Sequence, residues 1–201
     1  MKFFKCEKKM TLISAVVVLV LAGAHFCRYI LPYDPFKTSM GEASLPPSSL
    51  HWFGTDNLGR DVFSRVLQGS QTSLYAALGV VIVVFTVGTI LGVTAGYLGG
   101  TADAVIMKII VIFQAFPSFI LAVAVAGMLG AGMLNGMLSL CAVYWTTYAK
   151  LARSLVLQMK DVNYIQAAKL CGAKKHHIIF RYIMPNVISP LVVTAALDVG
   201  S

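Results

Sequence analysis

Apolar runs long enough to cross a bilayer, separated by polar and turn-forming stretches, limit the folding of this chain more than any other feature. Inside hydrocarbon there is no water for backbone N–H and C=O groups, so such runs fold as helices and the expected class is all-α and polytopic. The runs extend from Thr11 to about Leu31, from about Ser73 to Leu98, from about Ala104 to Met128, and from the turn at Gly130 to Asn135 on to about Ala149. A fifth begins near Asn186 and reaches Ser201. Of 201 residues 58% are hydrophobic and 12% charged, which excludes an ordinary soluble domain. The net charge of +8 is concentrated at Lys2 to Lys9 and Lys150 to Arg181, the flanks of apolar runs. Membrane topology explains it, and no nucleic acid is expected as a partner. Cys6, Cys27, Cys141 and Cys171 are widely spaced and form no C-x-x-C pair, so neither a disulfide framework nor a metal site is expected.

The basic flanks set the orientation. Lys2, Lys5, Lys8 and Lys9 precede a first run too long for a signal core, which reads as an uncleaved span with its N-terminus in the cytoplasm. In the segment after it, Lys37, Arg60 and Arg65 are outnumbered by Asp34, Glu42, Asp56 and Asp61, a balance that belongs outside. The second span carries Gly88, Gly92 and Gly96 at four-residue intervals, a face for close helix packing. Pro117 implies a kink in the third, and Gln114 beside it either lines a pathway or makes an interhelical hydrogen bond. Tyr144-Trp145-Thr146-Thr147-Tyr148 reads as an interfacial belt closing the fourth, after which Lys150 and Arg153 re-enter the cytoplasm. The fifth run is short for a crossing, and Asp198 near its end makes a lipid-facing crossing costlier.

Between the fourth and fifth runs lies a polar interlude, residues 161–186, with Lys169, Lys174, Lys175 and Arg181 against Asp161. Asp161 is the expected N-cap of a helix from Val162 to Cys171, and Gly172 stands where a left-handed residue ends a helix. A second helix should place Ile178, Ile179, Tyr182 and Ile183 on one face and Lys174, His177 and Arg181 on the other, with Pro185 fixing the start of the next run. Small side chains at Ala167 and Ala168 would let a partner approach the backbone, and Gly172 would present that surface as a knob. Taken by itself, the stretch is equally an ordinary basic loop between spans.

Gln166-Ala167-Ala168, then Gly172 and Pro185, resemble the EAA loop of ABC-importer permeases, with Gln166 where that family often has Glu. Leu31-Pro32-Tyr33-Asp34-Pro35 and the run from His51 to Arg65 resemble the N-terminal signature of the dipeptide, oligopeptide and nickel branch. Within that run Gly54 and Gly59 allow tight turns, and Asp56 and Asp61 can accept bonds from Arg60, Arg65 or free backbone donors. Thr55 and Ser64 complete the matched set, and Val62, Phe63 and Val66 form an apolar edge. A structural clasp at the mouth of a pathway is expected there. Gly54 to Gly59 has Walker A glycine spacing, but Arg60-Asp61 replaces the required Lys and Ser/Thr, so no nucleotide site follows. Tyr144 to Leu155 also resembles the family's aromatic and basic run.

The resemblance implies a MetI-like transmembrane domain with four complete spans and an incomplete fifth. Its divisions are 1–31, cytoplasmic N-terminus and first helix; 32–72, extracytoplasmic; and 73–201, core with the coupling loop 161–186. It further implies a bacterial inner-membrane permease subunit for nickel, a metal chelate or small peptides, most like the second nickel permease, and truncated relative to the family's six spans. The implied partners are a homologous permease, two cytoplasmic ATPases, an extracytoplasmic substrate-binding protein and membrane lipid. No cofactor, catalytic residue or metal ligand is implied. The alternatives are a non-transporting remnant that still binds its partners, and a membrane enzyme. The latter is weakened because adjacent His176 and His177 point about 100° apart on a helix and make a poor chelating pair.

This topology predicts that single cysteines at positions 5 and 175 react with a membrane-impermeant thiol reagent only after cell lysis, and one at position 48 in intact cells. Labelling of position 175 from outside would overturn it.

Overall fold

A computed structural model of the protein describes residues 31–199. The expected first span and the N-terminal lysines lie outside them. The helices are α1 (Val62–Leu98), α2 (Gly100–Gln114), α3 (Ser118–Leu129), α4 (Met133–Met159), α5 (Asn163–Leu170) and α6 (Lys175–Val199), with a 3-10 turn at Met40–Glu42. Among the described residues there is no strand, only an isolated antiparallel bridge between Thr55 and Asp61. The chain separates into two compact units at Tyr75 and Ala76.

The second unit is organised by the contact of α1 with α4. A Cβ on Gly88 would meet Tyr148 Cβ at 2.5 Å and the Trp145 carbonyl oxygen at 2.7 Å. One on Gly92 would run into the Ala149 carbonyl and meet Ala152 Cβ at 2.7 Å, and one on Gly96 would meet Val156 Cβ at 2.9 Å. The expected glycine face is therefore real. It allows backbone-to-backbone contact where lipid offers no hydrophobic gain for helix association. Across it Tyr148, Ala149, Ala152 and Val156 are buried to 1% exposure or less.

Direction follows from register. Gly79 faces Met137, Gly88 faces Tyr148 and Gly96 faces Val156, so the partners advance together and α1 and α4 run parallel. The chain between them must travel back along the length of α1. The bent pair α2 and α3, which turns through 85°, is the segment that makes this return. The kink expected at Pro117 is a complete break. Proline lacks the donor a continuing helix needs, its ring would press on the Phe113 carbonyl, and Phe116 before it is steered out of the helical region.

On its other side α4 meets α2 running antiparallel. Arg153 forms a two-pronged ion pair with Asp103, at 2.5 and 2.6 Å, and Phe113 packs edge-on to Trp145 at 6.0 Å. This moves the expected interfacial belt. Tyr148 sits opposite Gly88, about 15 Å from the Leu98 end of α1 at 1.5 Å per residue, well inside the apolar part of that helix. Thr146 and Tyr148 are interior packing, Thr146 bonded to the Val143 carbonyl at 3.0 Å, while Trp145 is partly buried and Tyr144 and Thr147 stay exposed. α4, though 27 residues long, is too polar to count as a span by composition. By length and composition two helices among the described residues, α1 and α6, are long and apolar enough to cross a membrane, or three if the bent pair counts as one span.

α6 departs from expectation at both ends. It starts at Lys175, not near Asn186, and runs 25 residues to Val199, so it is no marginal run. Pro185 does not interrupt it: a wider π turn at Ile179–Ile183 lies immediately before, where the helix ladder absorbs the missing donor. Asp198 is also not left alone, because the Tyr148 hydroxyl donates to its Oδ2 at 2.6 Å.

Replacing Gly92 by Leu should force α1 from α4 and destabilise the chain by roughly 1–3 kcal/mol, the usual effect of overpacking. The same change at Gly127, which has nothing within 4 Å, should be nearly silent. Thermal unfolding of the detergent-solubilised chain compares the two directly; equal melting points would contradict the seam.

Candidate functional site

Two constellations were singled out by sequence, one in each unit. In the first, Asp56 is the hub of a turn: its Oδ1 accepts from the Leu58 and Arg60 N–H groups at 2.9 and 3.0 Å, and its Oδ2 from Arg60 Nε at 2.8 Å. Arg65 Nε approaches the same Oδ2 at 3.7 Å. The Arg60 bond, with the two backbone donors, holds the Asp56 carboxyl at about 2 against an ordinary 3.8. Gly59 closes the turn at φ +71°, and a side chain there would collide with the Ser39 carbonyl. Gly54 is also left-handed at φ +72°. Thr55 ties the far loop down: its Oγ1 accepts from the Leu45 N–H at 2.9 Å and donates to the Glu42 carbonyl.

Asp61 is the N-cap of α1, its Oδ2 accepting from the Ser64 N–H at 2.8 Å. Its other oxygen meets Nδ1 of His51 at 2.9 Å, and the His51 ring lies against Tyr33. Burial opposes ionisation of Asp61, but the Ser64 N–H and His51 outweigh it and the carboxyl is lowered. The signature residues therefore form one hydrogen-bonded knot, with the Ser64 N–H and His51, and not Arg65, taking up the Asp61 carboxylate. His51 is the member that residue-by-residue reading missed. Its spacing from Asp61 carried no helical or turn period that could have paired them. Trp52 and Phe53 flank Phe63 at ring distances of 4.9 and 5.3 Å and stay mostly exposed.

In the second unit, the stretch of residues 161–186 folds as a knob. α5 is shorter than expected: Val162 precedes it without a side-chain cap, and Asp161 instead accepts from Gln166 Nε2 at 3.3 Å. Asp161 lies too early, because the Val162 N–H closes a turn onto the Met159 carbonyl before the helix begins. At the other end Gly172, at φ +78°, completes the ending expected: its N–H bonds the Lys169 carbonyl and the Ala173 N–H bonds the Ala168 carbonyl, both at 3.0 Å. Ile165, fully buried, anchors the knob. Ala167 is exposed, Ala168 half-buried, and Leu170 is 89% exposed at the tip. Gln166 turns back on its own loop and presents nothing outward. Beyond the turn Ile178 and Ile183 are buried, Ile179 and Tyr182 partly so, while Lys174, His177 and Arg181 are exposed, as the helical period required. Pro185, the last member of the motif, belongs to α6 and not to the knob. Leu170 was not singled out, though an apolar residue beside a helix-ending glycine on a polar loop is the signal that would have found it.

The comparisons with known proteins follow this geometry. The family described as "Binding-protein-dependent transport system inner membrane component" matches residues 88–201, which hold the glycine seam and the knob. The probable D,D-dipeptide transport system permease protein of Escherichia coli K12 is 44% identical over 96% of this chain and 65% of its own length. The glutathione transport system permease protein of Pectobacterium atrosepticum is 39% identical over 92% of this chain and 62% of its own. The nickel transport system permease protein of Escherichia coli K12 is 33% identical over all of this chain and 73% of its own. The chain thus spans somewhat under two thirds of the first two relatives, and its identity to the dipeptide relative exceeds that to the nickel one.

Because Asp56 is depressed, the stability it contributes is fully present above about pH 4 and lost as pH falls towards about 2. Trp52 fluorescence in a Trp145→Phe chain should hold steady down to about pH 4 and change below it. Asp56→Asn should show the altered signal at neutral pH; a transition near pH 6 would contradict the assignment.

Proposed function

Because this chain belongs to the family of inner membrane components of binding-protein-dependent transport systems, we propose that it is a permease subunit of an ATP-driven importer whose α5 knob docks on a cytoplasmic ATPase. The observation that carries this is the knob itself. It is an eight-residue helix pinned inward by Ile165, ended sharply by Gly172, and presenting Ala167 and Leu170 as exposed side chains. A short helix with a small-residue flank and an apolar tip fits a hydrophobic groove on another protein. The basic residues around it, Lys169, Lys174, Lys175 and Arg181, put this end in the cytoplasm and the clasp of residues 31–61 on the outer side.

In this reading the chain pairs with a second, homologous permease to enclose a pathway, receives substrate from an extracytoplasmic binding protein, and is driven by two ATPases. The names of its relatives offer peptides, glutathione or nickel as the cargo class. α6 follows the knob directly and contacts α4 through Tyr148 and Asp198, so movement of the knob is transmitted to the crossing helices without an intervening flexible loop. The clasp fixes the outer start of α1 through the Asp61 cap. Its chemistry is structural, since every polar contact found there satisfies a backbone group or another side chain of the clasp.

The exposed position of Ala167 makes it the place for a steric test. Ala167→Trp should abolish co-purification of the ATPase and uptake while leaving membrane insertion intact. Gly172→Val, which forces a β-branched residue into a left-handed conformation at a cost of about 1–3 kcal/mol, should do the same. Normal ATPase yield with Ala167→Trp would contradict docking at α5.

A further inference from the structure

Along one flank of the first turns of α1, polar groups keep bonding capacity that the clasp does not use. Two adjoining hollows lie there, of about 550 and 310 Å³, sharing Pro35, Phe36 and Gln68 as a common wall. Asp34 lines the larger and Arg65 the smaller. The Asp34 carboxylate spends its Oδ1 on the Phe36 N–H at 2.9 Å, and among the described residues no cation pairs with it. Arg65 is held only at long range, Nη1 to the Pro35 carbonyl at 3.4 Å and Nε to Asp56 Oδ2 at 3.7 Å, so most of its five donors remain. Gln68 is half-buried where the hollows join, and its side-chain amide bonds to no described residue.

Opposite charges thus line one groove without neutralising each other. The Asp34 turn onto Phe36 and the Arg65 bond to the Pro35 carbonyl hold the two groups in separate hollows, with buried Pro35 in the shared wall. A bare cation would gain one carboxylate and meet a guanidinium, and a simple anion the reverse. The groove complements a molecule that carries both signs a few atoms apart, with N–H donors on its cation.

Depth narrows the source. Leu31, at the end of the first apolar run, lines the larger hollow, and Ser73, at the start of the second, lines the smaller. The run from Ser73 to Leu98 covers about 38 Å at 1.5 Å per residue, against about 30 Å of hydrocarbon, so the bilayer core is filled without the turns that carry Arg65 and Gln68. The groove therefore opens at the headgroup layer, and Phe36, 71% exposed on its wall, is an aromatic side chain of the kind that layer accommodates.

Going beyond the transport reading, we propose that this groove binds the headgroup of an ethanolamine phospholipid, its phosphate against Arg65 and Ser73 and its ammonium against Asp34 and the Gln68 amide oxygen. A choline headgroup has no N–H to donate, and a glycerol headgroup has no cation. A dipeptide carries the same pair of charges, and the groove's place at the boundary of two apolar runs favours the lipid.

The test is native mass spectrometry of the chain extracted from membranes with the subunits bound to it, delipidated, and offered equimolar ethanolamine, choline and glycerol phospholipids with identical acyl chains. The ethanolamine lipid should be retained about fivefold over each of the others, the worth of one charge-assisted hydrogen bond in a half-open groove. Asp34→Asn keeps an acceptor for the Phe36 N–H and should erase that preference. Arg65→Gln should lower retention of all three. Because Arg65 also approaches Asp56, Gly69→Leu is the variant that separates binding from folding. A Cβ at Gly69, which lines the smaller hollow, meets nothing within 4 Å, so the added side chain should remove the preference with the melting point unchanged. A preference for another headgroup, or none, in the unmodified chain would overturn the proposal, as would its persistence in either Asp34→Asn or Gly69→Leu. Displacement of the ethanolamine lipid by alanyl-alanine would assign the groove to cargo and overturn the lipid site, leaving the permease reading untouched.

Discussion

Close backbone contact between α1 and α4 is the constraint on which the rest of the second unit depends. In a bilayer, apolar side chains gain nothing by leaving lipid for protein, so helices are held by packing at short range and by polar bonds. Gly88, Gly92 and Gly96 provide that range, and the partners they meet on α4 are backbone atoms and small or buried side chains. Once α4 is held this closely, its polar residues have protein around them: Arg153 reaches Asp103, Tyr148 reaches Asp198, and Trp145 packs on Phe113. The seam thus explains why the most polar of the long helices is the central one.

From α4 the constraint passes to the knob. α4 ends at Met159, α5 follows after three residues, and Ile165 closes back into the same cluster as Val156, Ile178 and Ile183. The turn at Gly172 then feeds α6 without a break, the π turn before Pro185 preserving its continuity. The same helix carries Asp198, which accepts the Tyr148 hydroxyl at 2.6 Å and so ties α6 back to α4.

The sequence was informative where a requirement is local. Left-handed Gly54, Gly59 and Gly172, the glycine stripe of α1 and the two faces of residues 174–183 are set by backbone sterics or by helical period, and each was legible from the residues themselves. What escaped was set by partners distant in sequence. His51 pairs with Asp61 through a fold of the clasp, and Arg153 with Asp103 through the return of α2 and α3. Composition read Tyr144 to Tyr148 as one belt, whereas Thr146 and Tyr148 are buried and Tyr144 and Thr147 exposed, because aromatic and hydroxyl side chains look alike at a membrane surface and in a shielded interior. Proline misled in both directions: at Pro117 the expected kink is a full break, and at Pro185 the expected boundary is continuous helix. The difference lies in whether a neighbouring turn can widen to accept the missing donor.

The parallel run of α1 and α4 decides both the crossing count and the position of the knob, and oxidative cross-linking tests it most directly. With the native cysteines replaced by alanine, the pairs Gly79→Cys with Met137→Cys and Gly96→Cys with Val156→Cys should each form a disulfide in membranes. The exchanged pairs, position 79 with 156 and 96 with 137, should form none. Cross-linking of the exchanged pairs in preference to the matched ones would make the helices antiparallel, turn the bent pair α2 and α3 into a re-entrant loop, and contradict the account.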